Sequence, residues 1–458
     1  MNEQSPMFPD LPQPDVEPAA ESDAPRAPLR LSTPMRDQVE LRMVDLDRSI
    51  PPDHPARAVW AFVEGLDFTA LYEQIQSMEG RPGRPAIDPK VLMALWLYAT
   101  IDAVGSARRL ARLCEDHDAY RWICGGVSVN HHTLSDFRVD HERWLDDQLT
   151  RSVAVLMHAE LVTLTRIAQD GMRVRANAGA SSFRRRDSMG KCLKKAGSQV
   201  RKLRRELEDD AGSESRQEKA ARERADAERE QRVQAALEQL EEIERNRNRK
   251  TKARKPDESE EEHAKRTEPR ASTTDPQARV MKMADGGFRP AYNVQFATDV
   301  ASQVIVGVDV VNVGSDLSQL SPMLEQIEER YGSKPSEVLV DGGFANHAAI
   351  TDADADGITV YAPVVKPRDR ERDPYRPRPG DSDAIARWRV RMGTEAAQQI
   401  YRERAASVEC ANARCRQRGL CQFPVRGLVK ARAVALWHAL AHNLIRACSL
   451  SQEAAIPA

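Results

Sequence analysis

Three carboxylates stand where a divalent metal ion could be held. Asp170 lies inside a predicted short strand at 167–174, which it interrupts together with Gly171, the next residue. Asp341 ends the run EVLV and opens the sequence DGGF, in which glycines let the backbone turn steeply. Ligands collect at the carboxyl ends of strands in open α/β sheets, which favours Asp341 as a ligand. Glu409, which follows a helical segment, completes the set.

Such a trio is suited to phosphodiester chemistry. Two Mg²⁺ or Mn²⁺ ions about 3.5 to 4 Å apart can activate an attacking oxygen and stabilise a leaving one. Mg²⁺ is satisfied by a few carboxylates together with water and substrate phosphate, so three acids suffice. One carboxylate must contact both ions and should lie on the most rigid element. Asp170 on a central strand fits that role, with Asp341 and Glu409 each holding one ion.

Other acids compete for these roles, because the chain contains 70 Asp and Glu. An aspartate at the end of a strand is more often a turn residue or a helix cap than a ligand. Asp299 and Asp316 have the pattern of turn residues, and Asp309 lies inside VIVGVDVV with no turn after it. Spacing alone leaves these alternatives open.

The elements that would carry the trio are predicted by hydrophobic period. Runs of strand type cover 167–174, 291–299, 303–313, 337–343 and 358–365, and a helix separates the third from the fourth. Helical patterns return from Ser382 to the C-terminus. This order predicts an α/β catalytic domain, residues 165–182 and 271–448, with a mixed five-stranded sheet flanked by helices.

An all-α domain is predicted at residues 37–164. A helix should follow Asp88, with Pro89 in its first turn, and Thr133 with Asp136 resembles a capping box that would start another. GSARRLARLCEDH and the helix that begins near Thr133 could form a helix-turn-helix, or a bundle with surface arginines. Its candidate DNA contacts are Arg108, Arg109, Arg112 and Arg138.

A charged insertion follows the first strand, at residues 183–270. Residues 181–206 carry ten Lys or Arg against two acids, so Arg184, Arg185 and Arg186 are candidate DNA contacts, although a solvated helical face is the alternative. A helical hairpin is predicted at about 197–245, packing on itself or on another subunit. The blocks of like charge at 246–270 predict a flexible return linker.

Composition limits the remaining possibilities. The 68 Lys and Arg nearly balance the acids, so any DNA-binding surface must be local. No membrane span or signal peptide is recognisable, and seven cysteines favour free thiols in a cytoplasmic protein. Cys410, Cys415 and Cys421 lack the spacing of a zinc site. Residues 1–36 read as a disordered leader and 449–458 as a tail.

Several motifs taken together resemble one family. The chain resembles the DDE transposases of bacterial insertion sequences in the order of its elements and in the motif DGGF at 341–344. It also contains a set of residues similar to the Y-x2-R-x3-E-x6-K signature of these enzymes: Tyr401, Arg404, Glu409 and Arg416. GRPAIDPKVLMALWLYA and NHHTLSDFR are similar to the InsH-type N-terminal domain of these transposases. The resemblance implies an RNase H-like fold.

The resemblance also implies residue roles. Asp170, Asp341 and Glu409 would bind the metals, and Tyr401, Arg404 and Arg416 would contact DNA or phosphate. Two departures stand out: Arg416 replaces a lysine, and four residues rather than three separate Arg404 from Glu409. On a regular helix that offset turns Glu409 about 140° away from Arg404, so the helix must be interrupted or the partnership weakened. The fallback third acids are Glu403 and Glu395.

The implied activity is DNA transposition. The enzyme would bind the terminal inverted repeats of its insertion sequence as a homodimer on paired double-stranded ends, in a bacterial cytoplasm and close to the nucleoid. Water would free a 3′-hydroxyl at the end, and that hydroxyl would then attack target DNA. The alternatives are an inactive DNA-binding protein derived from a transposase and a metal-dependent nuclease without strand transfer.

Overall fold

A computed structural model describes residues 45–77, 85–209, 216–247, 259–365 and 373–455. The predicted leader, residues 1–36, lies outside these ranges. None of the described helices combines the length and the apolar character needed to cross a membrane.

The N-terminal region is helical, as predicted. Asp88 caps the third helix by accepting a hydrogen bond from the Lys90 N–H, and Pro89 occupies the first turn. That helix is apolar on nearly every side and forms the centre of the bundle. The helices are α1 (Pro55–Glu64), α2 (Thr69–Tyr72), α3 (Pro89–Ile101), α4 (Ala107–Asp116), α5 (Asp118–Cys124), α6 (His131–Asp140) and α7 (Glu142–His158), after a 3₁₀ turn at Asp47–Ser49.

The start of α6 differs from the predicted one. Asn130, in an extended conformation, accepts hydrogen bonds from the N–H groups of His132 and Thr133 and caps the helix. Thr133 is therefore inside the first turn and is not the cap. Asparagine is among the strongest N-cap residues, which explains why it defines the start.

A mixed sheet forms the second half of the core. Its order is β4-β5-β1-β7-β8, with β6 also paired to β5. β1 is antiparallel to β5 and parallel to β7, and β7 is parallel to β8. The strands are β1 (Arg166–Arg175), β4 (Arg279–Lys282), β5 (Phe288–Asp299), β6 (Ile305–Val311), β7 (Glu337–Val340) and β8 (Thr359–Tyr361), while β2 (Phe183–Arg184) and β3 (Ala271–Ser272) pair separately.

The predicted α/β fold is thus confirmed, with β4 added to the five expected strands. The remaining helices are α8 (Arg186–Asp209), α9 (Arg216–Arg247), α10 (Glu260–Thr267), α11 (Leu320–Tyr331), α12 (His347–Ala355), α13 (Asp383–Met392), α14 (Glu395–Arg404), α15 (Cys410–Gln417) and α16 (Leu428–Ala455). The expected short tail at 449–458 is helical as far as Ala455.

The last helix joins the N-terminal bundle to the sheet. Trp437 in α16 donates its indole N–H to the Arg138 carbonyl of α6 at 3.0 Å. The amide of Asn443 in the same helix pairs with both backbone groups of Ile305 in β6. One apolar core therefore runs through both regions.

The insertion contains the predicted helical hairpin, which starts earlier than expected. Arg186 at the start of α8 pairs with Glu244 near the end of α9 at 2.8 Å, so the helices are antiparallel. The flexible linker expected at 246–270 is wrong for 260–267, where α10 begins with a capping box between Ser259 and Glu262. Residues 248–258 lie outside the described ranges.

Candidate active site

Two of the three predicted carboxylates lie side by side. β1 and β7 are parallel neighbours, and the last pair in their register is Gln169 with Val340. The next residue on each strand is Asp170 and Asp341. Asp341 Oδ1 accepts the Gly343 N–H at 2.7 Å, which fixes the turn. A Cβ at Gly343 would come 2.9 Å from that oxygen, so a larger residue there would displace the Asp341 carboxylate.

A π-helical turn brings Glu409 to the same place. Residues Ala405–Glu409 between α14 and α15 form this turn, in which hydrogen bonds join residues five apart. Arg404 and Glu409 consequently face each other, and Arg404 Nη1 lies 2.6 Å from Glu409 Oε1. The extra residue in the signature is therefore accommodated by the interruption that the spacing required.

Arg404 joins Glu409 to the central strand. Its Nη2 donates to Asp170 Oδ1 at 2.9 Å, and the other carboxylate oxygen accepts from Asn412 Nδ2 at 2.8 Å. The Arg404 side chain is 10% exposed and that of Asp170 19%, so this ion pair is largely shielded from water. We call Asp170, Asp341 and Glu409 the acidic cluster.

The charges of the acidic cluster affect the pKa values of Asp170 and Tyr401. Burial raises the pKa of the Asp170 carboxyl above its usual value, the Arg404 charge lowers it, and the charges of Asp341 and Glu409 raise it. Burial also raises the pKa of the Tyr401 hydroxyl, and the three carboxylates add to that rise. Tyr401 therefore lies within electrostatic reach of all three.

The competing acids have other partners. Glu403 pairs with Arg166 at 2.6 Å instead of approaching Asp170. Glu395 lies in the first turn of α14. Asp299 accepts the N–H and the hydroxyl of Ser302, as a turn residue would. Asp309 lies 3.8 Å from Arg432 Nε.

Asp316 is more than the turn residue that its sequence context indicates. Its buried carboxylate accepts from Arg173 at 2.6 Å, Asn293 at 2.7 Å and Gln295 at 2.8 Å. A Cβ added to Gly171 would come 2.2 Å from Asp316 Oδ1. The Asp316 carboxylate therefore packs directly against Gly171, the residue that follows Asp170. The alternation in YNVQF, which puts both amides on one face of β5, was the available signal.

A basic groove opens beside Gly171. The cavity has a volume of 820 Å³, and Asp285 is the one acidic side chain among the described residues that line it. Arg416, which follows the third acid in the signature, is exposed in this groove. The other cationic side chains of the groove are Arg173, Arg175, Lys282 and Arg289.

Two parts of the chain match known domain families. Residues 44–140 match the family described as "Transposase domain (DUF772)", and residues 266–444 match "Transposase DDE domain". The chain belongs to the DDE transposases of insertion sequences. No curated protein and no solved structure matches it. The DDE match includes Asp341 and Glu409 of the transposase but begins after β1, so Asp170 lies outside it.

DDE transposases use divalent metal ions, and the residues here fit such ions. Among the described residues, no three acidic, histidine or cysteine side chains enclose a cation position. The cation that bridges Asp170 and Glu409 is the Arg404 guanidinium. The available donors are carboxylate oxygens, together with Asn412 Oδ1, which is buried and has no hydrogen-bond partner in the described part of the chain. Hard oxygen donors of this kind suit Mg²⁺ or Mn²⁺.

The arginines predicted on the helical domain of the transposase differ in exposure. Arg108, Arg109 and Arg112 are all exposed on α4. Arg138 is only 7% exposed, and its Nη1 donates to the Gly105 carbonyl at 2.7 Å. It therefore does not lie on an open helix face, which is where the helix-turn-helix interpretation placed it.

The insertion arginines have acidic neighbours. Arg184 is exposed in β2. Arg185 pairs with Glu268 at 3.1 Å, and Arg186 with Glu244. Part of the basic charge in this segment is thus balanced within the transposase itself.

The cysteines near the third acid are free thiols. Cys415 is buried, Cys410 is half-buried and Cys421 is exposed. Their different surroundings agree with separate thiols and not with a shared site.

Proposed function

We propose that this transposase binds the terminal inverted repeats of its own insertion sequence, and that it cuts and joins DNA with two Mg²⁺ or Mn²⁺ ions held by the acidic cluster. The strongest support is the double contact of Arg404, which brings the helix of Glu409 onto the strand of Asp170. A largely shielded carboxylate of the central strand, held near two further carboxylates by a displaceable cation, is a site that a metal can take over.

Each residue has a role that follows from its place. When bound, the two ions would activate the attacking oxygen and stabilise the leaving one. Asp170, on the central strand, would hold both ions, and Asp341 and Glu409 would hold one ion each. Asn412 orients Asp170 through its hydrogen bond. Without metal, Arg404 offsets part of the negative charge of the cluster, and its planar fork suits a DNA phosphate once it is released.

The DNA would pass along the basic groove. Arg416 contacts its phosphates there, and Tyr401 lies beside the cluster. Arg108, Arg109, Arg112 and Arg184 extend the positive surface, which gives affinity without sequence preference. Pairing two transposon ends requires two copies of the active site, so we infer a homodimer that acts on double-stranded DNA in the bacterial cytoplasm.

A cleavage assay tests this function. The substrate is the genomic DNA that flanks the gene, including its short inverted repeats, in the presence of Mg²⁺ or Mn²⁺. Asp170→Asn, Asp341→Asn and Glu409→Gln should each abolish cleavage while DNA binding persists. Asp309→Asn, a half-exposed aspartate of the same sheet, is the matched control and should cleave normally.

The assay also separates the alternatives. Normal cleavage by the three carboxylate variants would refute the metal-site assignment. Binding without cleavage by the wild type would indicate an inactive DNA-binding protein derived from a transposase. Cleaved but never joined products would indicate a metal-dependent nuclease.

A further inference from the structure

A second cavity lies between the helical bundle and the end of the catalytic region. Its volume is 610 Å³, and it is bounded by α3, α4, α6, α16 and the turn at 418–424. None of the described residues that line it is acidic. The arginines and histidines that line it are Arg108, Arg138, Arg418, His131, His132 and His438. We call this cavity the arginine pocket.

Arg138 is a buried cation, and none of the described residues serves as its counter-ion. Its guanidinium carbon lies 4.8 Å from the ring centre of Trp96, and its Nη1 donates to the Gly105 carbonyl. Its Nε has no hydrogen-bond partner, and no described carboxylate forms an ion pair with it. Burial lowers the pKa of Arg138 to about 10, so it remains charged at neutral pH. An unpaired buried charge is costly unless a partner arrives.

Two further groups in the pocket lack partners. Nη1 of Arg418 is buried, and within the described chain it makes no hydrogen bond and no ion pair. His438 is 8% exposed, and its Nδ1 is likewise without a partner there. Burial lowers the pKa of His438 to about 3, so the ring is neutral and offers one N–H. The pocket therefore has unused donors on both of its sides.

Two helices also begin at the pocket. α4 starts after Ser106 and α6 after Asn130, and each is ten residues long. The first residues of both helices line the cavity. Free N–H groups and the positive end of the helix dipole favour an anion at such positions. Together with the unpaired arginines, they make the cavity a site for a phosphate.

The turn after α15 connects this pocket to the catalytic groove. Leu420 lines both cavities, and Arg416 in the groove lies two residues before Arg418 in the pocket. A DNA strand held in the groove thus has a cationic path to the pocket. We propose that the arginine pocket receives a backbone phosphate of the bound transposon-end DNA. This inference rests on the proposed function, since it assigns the DNA a second anchoring point.

Equilibrium binding to the flanking DNA, measured in EDTA to prevent cleavage, tests the pocket. Arg108→Gln and Arg418→Gln should each weaken binding about tenfold, as expected for a charged hydrogen bond. Each should also reduce the slope of log K against log salt by about one. Arg143→Gln changes an exposed arginine of α7 that does not line the pocket and has no part in the proposed DNA-binding surface. It should bind within about twofold of wild type.

A neutral methylphosphonate placed at successive phosphates then locates the contact. One position should weaken wild-type binding and have no additional effect in Arg418→Gln. The inference would be overturned if both pocket variants bound DNA with the affinity and the salt slope of the wild type. It would also be overturned if inorganic phosphate bound the pocket without competing with DNA. If the wild type itself fails to bind the flanking DNA, the proposed function fails instead. If it binds and cleaves while the pocket variants match it, only the pocket assignment fails.

Discussion

Replacing Arg404 by glutamine should make the stability of this transposase depend on divalent metal. The substitution removes the cation that contacts Asp170 at 2.9 Å and Glu409 at 2.6 Å. Asp170 is then a largely shielded carboxylate near two others, with Asn412 as its remaining side-chain donor. Removing one partner of a buried ion pair costs about 3 to 5 kcal/mol. Glu409 is 49% exposed and adds little, so the lower end applies.

The loss can be expressed as a melting temperature. Residues 45–458 form one compact unit, whose unfolding entropy on the usual per-residue scale is about 0.9 kcal/mol/K. A loss of about 3 kcal/mol then lowers the melting temperature by roughly 3 to 4 °C in EDTA. Saturating Mg²⁺ supplies the missing positive charge, so the variant should recover most of this difference. Thermal melts followed by circular dichroism, with EDTA and with Mg²⁺, measure both effects.

Arg402→Gln is the matched control. Arg402 is exposed on the same helix and contacts the side chain of Gln399, so its loss should change stability by less than about 0.5 kcal/mol. The reasoning is refuted if Arg404→Gln melts like wild type in EDTA, or if Mg²⁺ raises the melting temperature of both proteins equally.

Three further predictions follow from particular contacts. Gly171→Ala should lower the free energy of unfolding by about 2 to 3 kcal/mol and reduce cleavage, because the added Cβ would collide with Asp316. Adding Asp316→Ala should restore part of the stability, and a Gly171→Ala variant as stable as wild type would contradict the contact. Asp275 is buried, and burial raises its pKa above 3.8, so its ionisation costs stability as pH rises through that range. Asp275→Asn should therefore gain stability relative to wild type between pH 4 and pH 8 in urea unfolding, and a constant difference would count against this. Arg416→Gln should weaken DNA binding and lower the salt slope by about one, while bound DNA is cleaved at the normal rate; a slower rate at saturating DNA would place Arg416 in the chemistry.

Features that depend on the residues of a single helix or strand could be predicted from the sequence. The strand patterns at 167–174 and 337–343 predicted β1 and β7, and the parallel pairing of these strands in the structure brings Asp170 next to Asp341. The cap at Asp88 and the strand-ending glycines are local signals of the same kind. β4, with four residues, is too short for its period to stand out, and the like charges around Ser259 masked the start of α10.

Features that depend on distant partners could not be predicted. The five-residue step from Arg404 to Glu409 has no local signature, and only the observed π-helical turn shows that it preserves their contact. Arg138 has the pattern of a surface residue, yet it is buried against Trp96, and α16 from the far end of the chain packs against its helix. The helical period of a sequence identifies the apolar face of a helix. It does not identify a charged residue that becomes buried because a helix from a distant part of the chain packs over it.

The acidic cluster is tested most directly by diffraction from crystals of the transposase with bound DNA, grown in Ca²⁺ and soaked in Mn²⁺. We expect two anomalous peaks, both at Asp170, one shared with Asp341 and the other with Glu409, and a guanidinium of Arg404 that has left Asp170 Oδ1. Peaks that avoid these carboxylates, with the contact between Arg404 and Asp170 intact, would contradict the assignment of the metal site.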